Sequence, residues 1–191
     1  MSKKFVVVDT ETTGFYDTDD VLQIGVMELD SNLNVVSMSE DYFNTNKRIK
    51  PEVANITGLN NNILTDKSGG LYFEDKIEKY GKYLWSGDYI WIGHNIDFDI
   101  RMLNSNLERH GFDSIKDKSR ICTMTKYKKR LNLKTKNGRL KNPKLGELYD
   151  YAVKSIGKSK RDIDKLYKGK NVAHDAMYDV FMTYISLYFL R

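Results

Sequence analysis

The sequence predicts an α/β domain in which helices flank a mixed central sheet. Two observations indicate this fold class. Apolar segments rich in strand formers occupy the first part of the chain, and segments with the helical period then alternate with further short apolar runs. No internal repeat or low-complexity linker divides the 191 residues, so residues 1–191 are expected to form a single domain.

The predicted strands begin with residues 5–9, a short β-branched run typical of a buried central strand. Residues 21–29 and 35–43 are strand-like and are separated by Asp30-Ser31-Asn32, a cluster typical of a turn. The first three strands are therefore expected to be antiparallel. Two further strands are predicted at residues 89–92 and 121–124.

Apolar residues at intervals of three or four positions predict the helices. The last helix has the clearest pattern, with Met177, Val180, Phe181 and Tyr184 on one stripe. The predicted helical segments are residues 51–56, 60–64, 72–84, 98–110, 145–155 and 176–190.

Composition indicates the cellular compartment in which the protein is expected. The single cysteine, Cys122, excludes an internal disulfide bond and fits a reducing compartment. Asp9 interrupts the apolar run at residues 5–8, and no stretch is long enough to cross a membrane. We therefore expect a cytoplasmic protein, of a cell or of the host of a virus or phage, without a membrane partner.

The net charge of +5 is unevenly distributed. Residues 1–115 hold 11 Lys/Arg and 19 Asp/Glu, whereas residues 116–191 hold 20 and 7. This polarity is consistent with a basic surface for a polyanion beside an acidic site, and equally with a solvated lysine-rich surface.

The first carboxylate pair, Asp9 and Glu11, closes the first predicted strand. Residues i and i+2 of a strand share a face, so the two acids project together and repel unless a cation lies between them. Mg²⁺ or Mn²⁺ suits such oxygen ligands. A bare pair of solvated acids would look the same, but the longer pattern Asp-x-Glu-x-Thr-Gly should recur by chance at about one position in 10⁵.

Two further acidic segments follow predicted strand or loop ends. Asp99 lies in the first turn of the helix after residues 89–92, with Asn95 as the expected N-cap. Asp97 competes with Asp99 but points in another direction, and either acid could simply stabilise the helix dipole. Asp179 lies in the first turn of the last helix, and His174 precedes that helix.

Together these three segments resemble the DEDDh branch of the DEDD 3′–5′ exonucleases, which includes the proofreading subunit of bacterial replicative DNA polymerase. That family has an RNase H-like three-layer fold. Its pattern is Asp-x-Glu, then Asn-x-x-Phe-Asp, then His-x-Ala-x-x-Asp. The matching residues here are Asp9 and Glu11, then Asn95, Phe98 and Asp99, then His174, Ala176 and Asp179.

The resemblance implies hydrolysis of phosphodiester bonds from the 3′ end of DNA or RNA, with release of nucleoside 5′-monophosphates. Two divalent cations, Mg²⁺ or Mn²⁺, would be held by Asp9, Glu11, Asp99 and Asp179, and Asp9 would bridge them. His174 would be the general base. The expected partners are a single-stranded 3′ end, with DNA favoured over RNA, and a DNA polymerase.

The same resemblance implies contacts with the terminal nucleotide from Thr10, Thr12, Ile56, Thr57, Asn95 and Phe98. The chain departs from the family at Thr57, where the family often has a histidine, which puts one of these contacts in doubt.

Residues 116–144 carry twelve Lys/Arg and one acid. We expect Lys126, Lys128, Lys129 and Arg130 to bind nucleic acid, with Tyr127 available for stacking. A solvated loop and a docking surface for an acidic protein are the alternatives for this stretch. For the whole chain, the alternatives are a non-catalytic nucleic-acid-binding or polymerase-associated subunit and a metal-dependent phosphatase or nucleotidase.

Overall fold

The computed structural model describes residues 4–115, 118–167 and 174–191. A five-stranded sheet forms the centre, in the order β3-β2-β1-β4-β5. Strand β2 is antiparallel to both β1 and β3, whereas β4 runs parallel to β1 and β5 runs parallel to β4. The predicted mixed sheet with three antiparallel strands first is confirmed. The strands are β1 Lys4–Thr12, β2 Val21–Leu29, β3 Val35–Tyr42, β4 Tyr89–Gly93 and β5 Arg120–Cys122.

Helices cover both faces of this sheet. A short 3₁₀ turn, Ile77–Tyr80, lies between the third and fourth of them. No helix among the described residues is long and apolar enough to cross a bilayer. The helices are α1 Pro51–Thr57, α2 Asn61–Ser68, α3 Phe73–Lys76, α4 Gly81–Leu84, α5 Ile96–Arg109, α6 Thr123–Leu131, α7 Leu145–Ser155, α8 Lys160–Asp164 and α9 Ala176–Leu190.

The alternation of side chains along β1 separates two apolar layers. Val6 and Val8 pack with α5 and the α3–α4 segment, whereas Val7 packs with α7 and α9 on the other face. Strand β2 is buried along its whole length. The domain therefore has three layers, with the sheet in the middle, as predicted.

Two predicted segments differ clearly from the structure, and two observed helices were not predicted. Residues 72–84 form two short α-helices joined by the 3₁₀ turn instead of one helix, although the expected stripe of Phe73, Ile77, Tyr80 and Leu84 is buried. The strand predicted at 121–124 ends at Cys122, where α6 begins. Helices α6 and α8 were not predicted, because each buries only one or two side chains and so shows no apolar stripe.

Candidate active site

The carboxyl end of β1 carries the first two acids. Strand β1 extends to Thr12, so Asp9 and Glu11 are both strand residues and share the face that Val7 turns toward α9. Glu11 is buried and Asp9 is half-buried. The two carboxylates therefore lie between the sheet and the first turn of α9.

A glycine on β2 allows α9 to approach this strand end. Gly25 pairs with Asp9 in the sheet, and a Cβ at Gly25 would lie only 2.7 Å from the Ala176 carbonyl oxygen. The neighbouring Gln23, itself 1% exposed, accepts a hydrogen bond from the Ala176 backbone N–H at 3.2 Å. These contacts hold the start of α9, and with it Asp179, close to Asp9.

Asp99 reaches the same place from the first turn of α5. The backbone N–H and the hydroxyl of Thr10 both donate to Asp99 Oδ1, at 2.9 and 2.8 Å. Asp97 instead points outward and pairs with Arg120 at 2.6 Å. The preceding Asn95 is the N-cap residue, as predicted; its backbone is left-handed and its side chain makes no capping hydrogen bond.

His174 lies just before α9 in a left-handed backbone conformation, with φ of 65°. Its backbone N–H donates to Asp179 Oδ1 at 3.4 Å, and its side chain is exposed. One ring nitrogen of His174 and one carboxylate oxygen each from Glu11 and Asp179 lie within 4.8 Å of one another. The residues that the sequence singled out therefore meet at one point.

The four acids affect one another strongly. Burial raises the pKa of Asp9, Glu11, Asp99 and Asp179, and repulsion from neighbouring carboxylates, which for Asp179 is that of Asp175, adds to the increase. Protonation of the acids would remove this repulsion, and a divalent cation bound between the carboxylates would offset it. Because carboxylate oxygens of Glu11 and Asp179 lie within 4.8 Å of each other and Asp9 and Asp99 line the same cavity, the site fits the Mg²⁺ or Mn²⁺ expected from the sequence.

These residues line a cavity of about 380 Å³. Of the predicted nucleotide contacts, Thr10, Thr12, Ile56, Thr57 and Phe98 line it. Asn95 is not among the residues that line it: its backbone is left-handed and its side chain is exposed, and its contact with the nucleotide stays a prediction.

Sequence reasoning missed Phe15, Glu52, Val53 and His94, which also line the cavity. Phe15 is 76% exposed, and its ring centroid lies 6.0 Å from that of Phe98. Its place directly after Gly14 of the first motif is the signal that could have identified it.

His94 belongs to the wall of the cavity. Its Nε2 donates to the Pro143 carbonyl at 3.0 Å, and its Nδ1 lies 3.1 Å from the Thr123 hydroxyl. A carbonyl only accepts, so Nε2 carries the hydrogen. Burial lowers the pKa of His94, which favours the neutral ring. The ring is thus a hydrogen-bonded part of the cavity wall.

Arg130, at the end of the predicted nucleic-acid surface, lies further away. Arg130 donates to the carbonyl of Leu190 at 2.7 Å, at the far end of α9. Eleven residues of helix, or about 16 Å, separate Leu190 from Asp179. Tyr127 is 3% exposed in the core, so its predicted stacking role is wrong. Residues 116 and 117 of the basic stretch lie outside the described residues.

A family model described as an exonuclease, RNase_T, matches residues 6–187. The chain belongs to this exonuclease family. The mixed sheet and its flanking helices form the RNase H-like fold expected from the resemblance.

Curated relatives include the PolC-type DNA polymerase III of Staphylococcus epidermidis, which is 28% identical over 109 residues. That of Pediococcus pentosaceus is 27% identical over 115 residues. The alignments cover 56% and 60% of this chain but only 7% and 8% of those polymerases.

Solved structures with a similar fold include Escherichia coli Exonuclease I in complex with a dA16 oligonucleotide, with a TM-score of 0.76 and 19% identity. The moderately thermophilic Exonuclease I from Methylocaldum szegediense has a TM-score of 0.74 and 20% identity. Each comparison covers 98% of this chain and 40% of the other.

Proposed function

We propose that the protein is a metal-dependent 3′–5′ exonuclease that releases nucleoside 5′-monophosphates. The observation that carries this proposal is the meeting of Asp9, Glu11, Asp99, Asp179 and His174 at one cavity in a chain of an exonuclease family. The substrate is a single-stranded 3′ end, with DNA favoured over RNA. The Exonuclease I structures with DNA oligonucleotides support this preference.

Two divalent cations, Mg²⁺ or Mn²⁺, would be held by the four acids. When bound in such a site, divalent cations polarise the phosphate, lower the pKa of the attacking water and stabilise the leaving oxygen. The raised pKa values of the acids support this assignment. They mean that ionising these buried, neighbouring carboxylates costs free energy, and a bound cation would offset that cost.

The chain's own groups position and deprotonate the reactants. A ring nitrogen of His174 takes the proton of the attacking water beside Glu11 and Asp179, and its exposed side chain passes that proton to solvent. Thr10 fixes the orientation of Asp99 through two hydrogen bonds. Phe15, Ile56 and Phe98 supply an apolar wall for the terminal sugar and base.

His174 also lies close enough to Glu11 and Asp179 to be a ligand itself. Mg²⁺ and Mn²⁺ prefer oxygen ligands, which favours the role of base. We further propose that the protein works beside a DNA polymerase, a suggestion supported by the PolC-type relatives.

One assay tests the activity. End-labelled single-stranded DNA and RNA are incubated with the protein and Mg²⁺, Mn²⁺ or EDTA, beside a circular single strand. The 3′ end of the linear strands should be shortened stepwise, EDTA should stop the reaction, and the circle should stay intact. Cleavage of the circle, or cleavage in EDTA, would rule the proposal out, and a protein that binds strands without cutting them would support the non-catalytic subunit. The Asp179→Asn variant, prepared in parallel, controls for contaminating nucleases.

A further inference from the structure

Helix α8 lies over the first turn of α9. The hydroxyl of Tyr178, the residue before Asp179, donates to Asp164 Oδ1 at 2.9 Å, and the hydroxyl of Tyr149 donates to the same oxygen at 2.7 Å. The Tyr167 ring, just beyond α8, lies 5.4 Å from the Tyr178 ring. These contacts attach α8 to the end of α9 that carries the active-site acid.

The side chains of α8 form an open basic cleft of about 530 Å³. Its lining comprises Lys160, Arg161, Asp164, Lys165 and Tyr167. Within the described part of the chain, no acidic residue lies within ion-pair distance of Lys160 or Arg161. Lys165 pairs with an exposed i,i+3 neighbour, Asp162, at 3.7 Å, and such pairs stabilise little. Among the described residues, the cations of the cleft therefore make no strong ion pair with the fold.

The cleft lies beside the active site, because Asp164 of its lining accepts a hydrogen bond from Tyr178, the residue before Asp179. The exposed ammonium of Lys160 also lies 5.5 Å from the Tyr149 ring centroid. By contrast, the basic end of α6 is anchored by Arg130 to Leu190, at the opposite end of α9.

We propose that the α8 cleft, formed by Lys160, Arg161 and Lys165, binds the phosphodiester backbone of the single strand whose 3′ end occupies the cavity. The inference rests on the proposed exonuclease activity. Four carboxylates repel a polyanion, so cations must lie beside them to hold it, and α8 supplies these cations where α9 begins. Arginine and lysine contacts with phosphates give affinity without reading sequence, as a general trimming enzyme requires.

Two variants with the same charge change test this inference. One carries Lys160→Ala, Arg161→Ala and Lys165→Ala, and the matched control on α6 carries Lys126→Ala, Lys128→Ala and Lys129→Ala. We expect the α8 variant to raise KM for a long single strand while leaving hydrolysis of a dinucleotide unchanged. The slope of log affinity against log salt concentration should also become less steep by about 2, the change expected for three lost contacts with single-stranded nucleic acid. The α6 variant tests the basic surface predicted from the sequence, and both changes should be smaller there, because Arg130 holds the end of α6 at Leu190, the far end of α9.

Several outcomes would overturn the inference. Equal effects of the two variants would mean that only total charge matters, and an equal loss on the dinucleotide would place the α8 residues in the active site or the fold. A variant with Lys160→Arg, Arg161→Lys and Lys165→Arg should keep strand affinity, which separates charge from folding. If the wild-type protein cuts neither substrate, the proposed function fails, and fluorescence anisotropy with a labelled strand still compares the two triple variants.

Discussion

At the scale of single residues, the site depends on which of two nearby acids on α5 faces the cavity. Asp97 and Asp99 are separated by one residue, so on a helix their side chains diverge by roughly 200°. Asp99 is 3% exposed and is held by Thr10, whereas the Asp97 side chain is 65% exposed and pairs with Arg120. The role of an acid here follows from its helical position.

Replacing any one of Asp9, Glu11, Asp99 and Asp179 by its amide should nearly abolish turnover, because each removes a charge from the proposed metal site. The Asp97→Asn variant is the matched control and should keep most of the activity. Activity is measured as mononucleotide release in Mg²⁺, and folding is checked by thermal unfolding. An inactive Asp97→Asn protein beside an active Asp99→Asn protein would show that the second motif is misassigned.

The His174→Ala variant should lower kcat by about 10²–10⁴-fold, the usual contribution of a general base. Mn²⁺ affinity, measured by calorimetry, should stay close to that of the wild type, because the proposed cations are held by carboxylates. A large loss of Mn²⁺ affinity would instead identify His174 as a ligand, which its closeness to Glu11 and Asp179 would permit.

At the scale of elements, the contact between β2 and α9 brings the third motif to the first. Strand β2 contributes no acid to the cavity, yet Gly25 lets the α9 backbone approach and Gln23 binds the Ala176 N–H. Asp175 caps the helix by accepting from the Tyr178 N–H at 3.2 Å. The position of Asp179 is thus set by residues that do not touch the substrate.

Gly25→Ala should therefore impair the site from a distance. The added Cβ would meet the Ala176 backbone, which cannot rotate away as a side chain can, so α9 must shift. We expect a loss of about 1–3 kcal/mol in the free energy of unfolding, together with weaker Mn²⁺ binding.

Gly146→Ala in α7 is the control for this change. No atom lies within 4 Å of its added Cβ, so it should stabilise the protein by about 0.4–1 kcal/mol. Chemical denaturation and calorimetry measure both variants. Unchanged metal affinity in Gly25→Ala would show that the contact between β2 and α9 does not position Asp179.

At the scale of the whole molecule, folding concentrates negative charge at one point. Asp99 and Asp179 each reach a pKa of about 7 because burial, and then neighbouring carboxylates, disfavour their ionised forms. Ordinary aspartates titrate near 4. Elsewhere Glu28 behaves oppositely: despite burial, hydrogen bonds from Lys82, Tyr89 and Tyr83 lower its pKa to about 2.

These shifts predict how stability depends on pH without metal. A group whose pKa rises on folding stabilises the protein fully below its unfolded pKa, and this contribution is lost as pH rises through the folded value. The metal-free protein should therefore lose stability from about pH 4 to pH 7 through Asp99 and Asp179, and on to about pH 9 through Glu11. Mg²⁺ or Mn²⁺ should raise Tm more at pH 8 than at pH 5, because protons compete with the cation.

The variant with Asp99→Asn and Asp179→Asn controls for other titrating groups. It should lose most of this pH dependence and most of the stabilisation by metal. Thermal unfolding across pH, with and without Mn²⁺, provides the measurement. A metal-free protein that grows more stable from pH 5 to pH 8 would contradict the electrostatic account of the site.

The sequence by itself determined much of this protein. Strand β2 and helices α7 and α9 have the predicted bounds, because each carries a long apolar pattern that burial dictates. The three motifs were also readable, since Asp9, Asp99 and Asp179 each occupy a recognisable strand end or first turn.

Tertiary structure decided what local pattern could not. The wall residue Phe15, the close approach at Gly25 and the burial of Tyr127 all depend on segments distant in the chain. The basic residues show this most clearly, because composition pointed to α6 while packing places α8 beside the active site. The sequence shows which residues are charged, but the distance between a charged residue and the active site depends on how the helices pack.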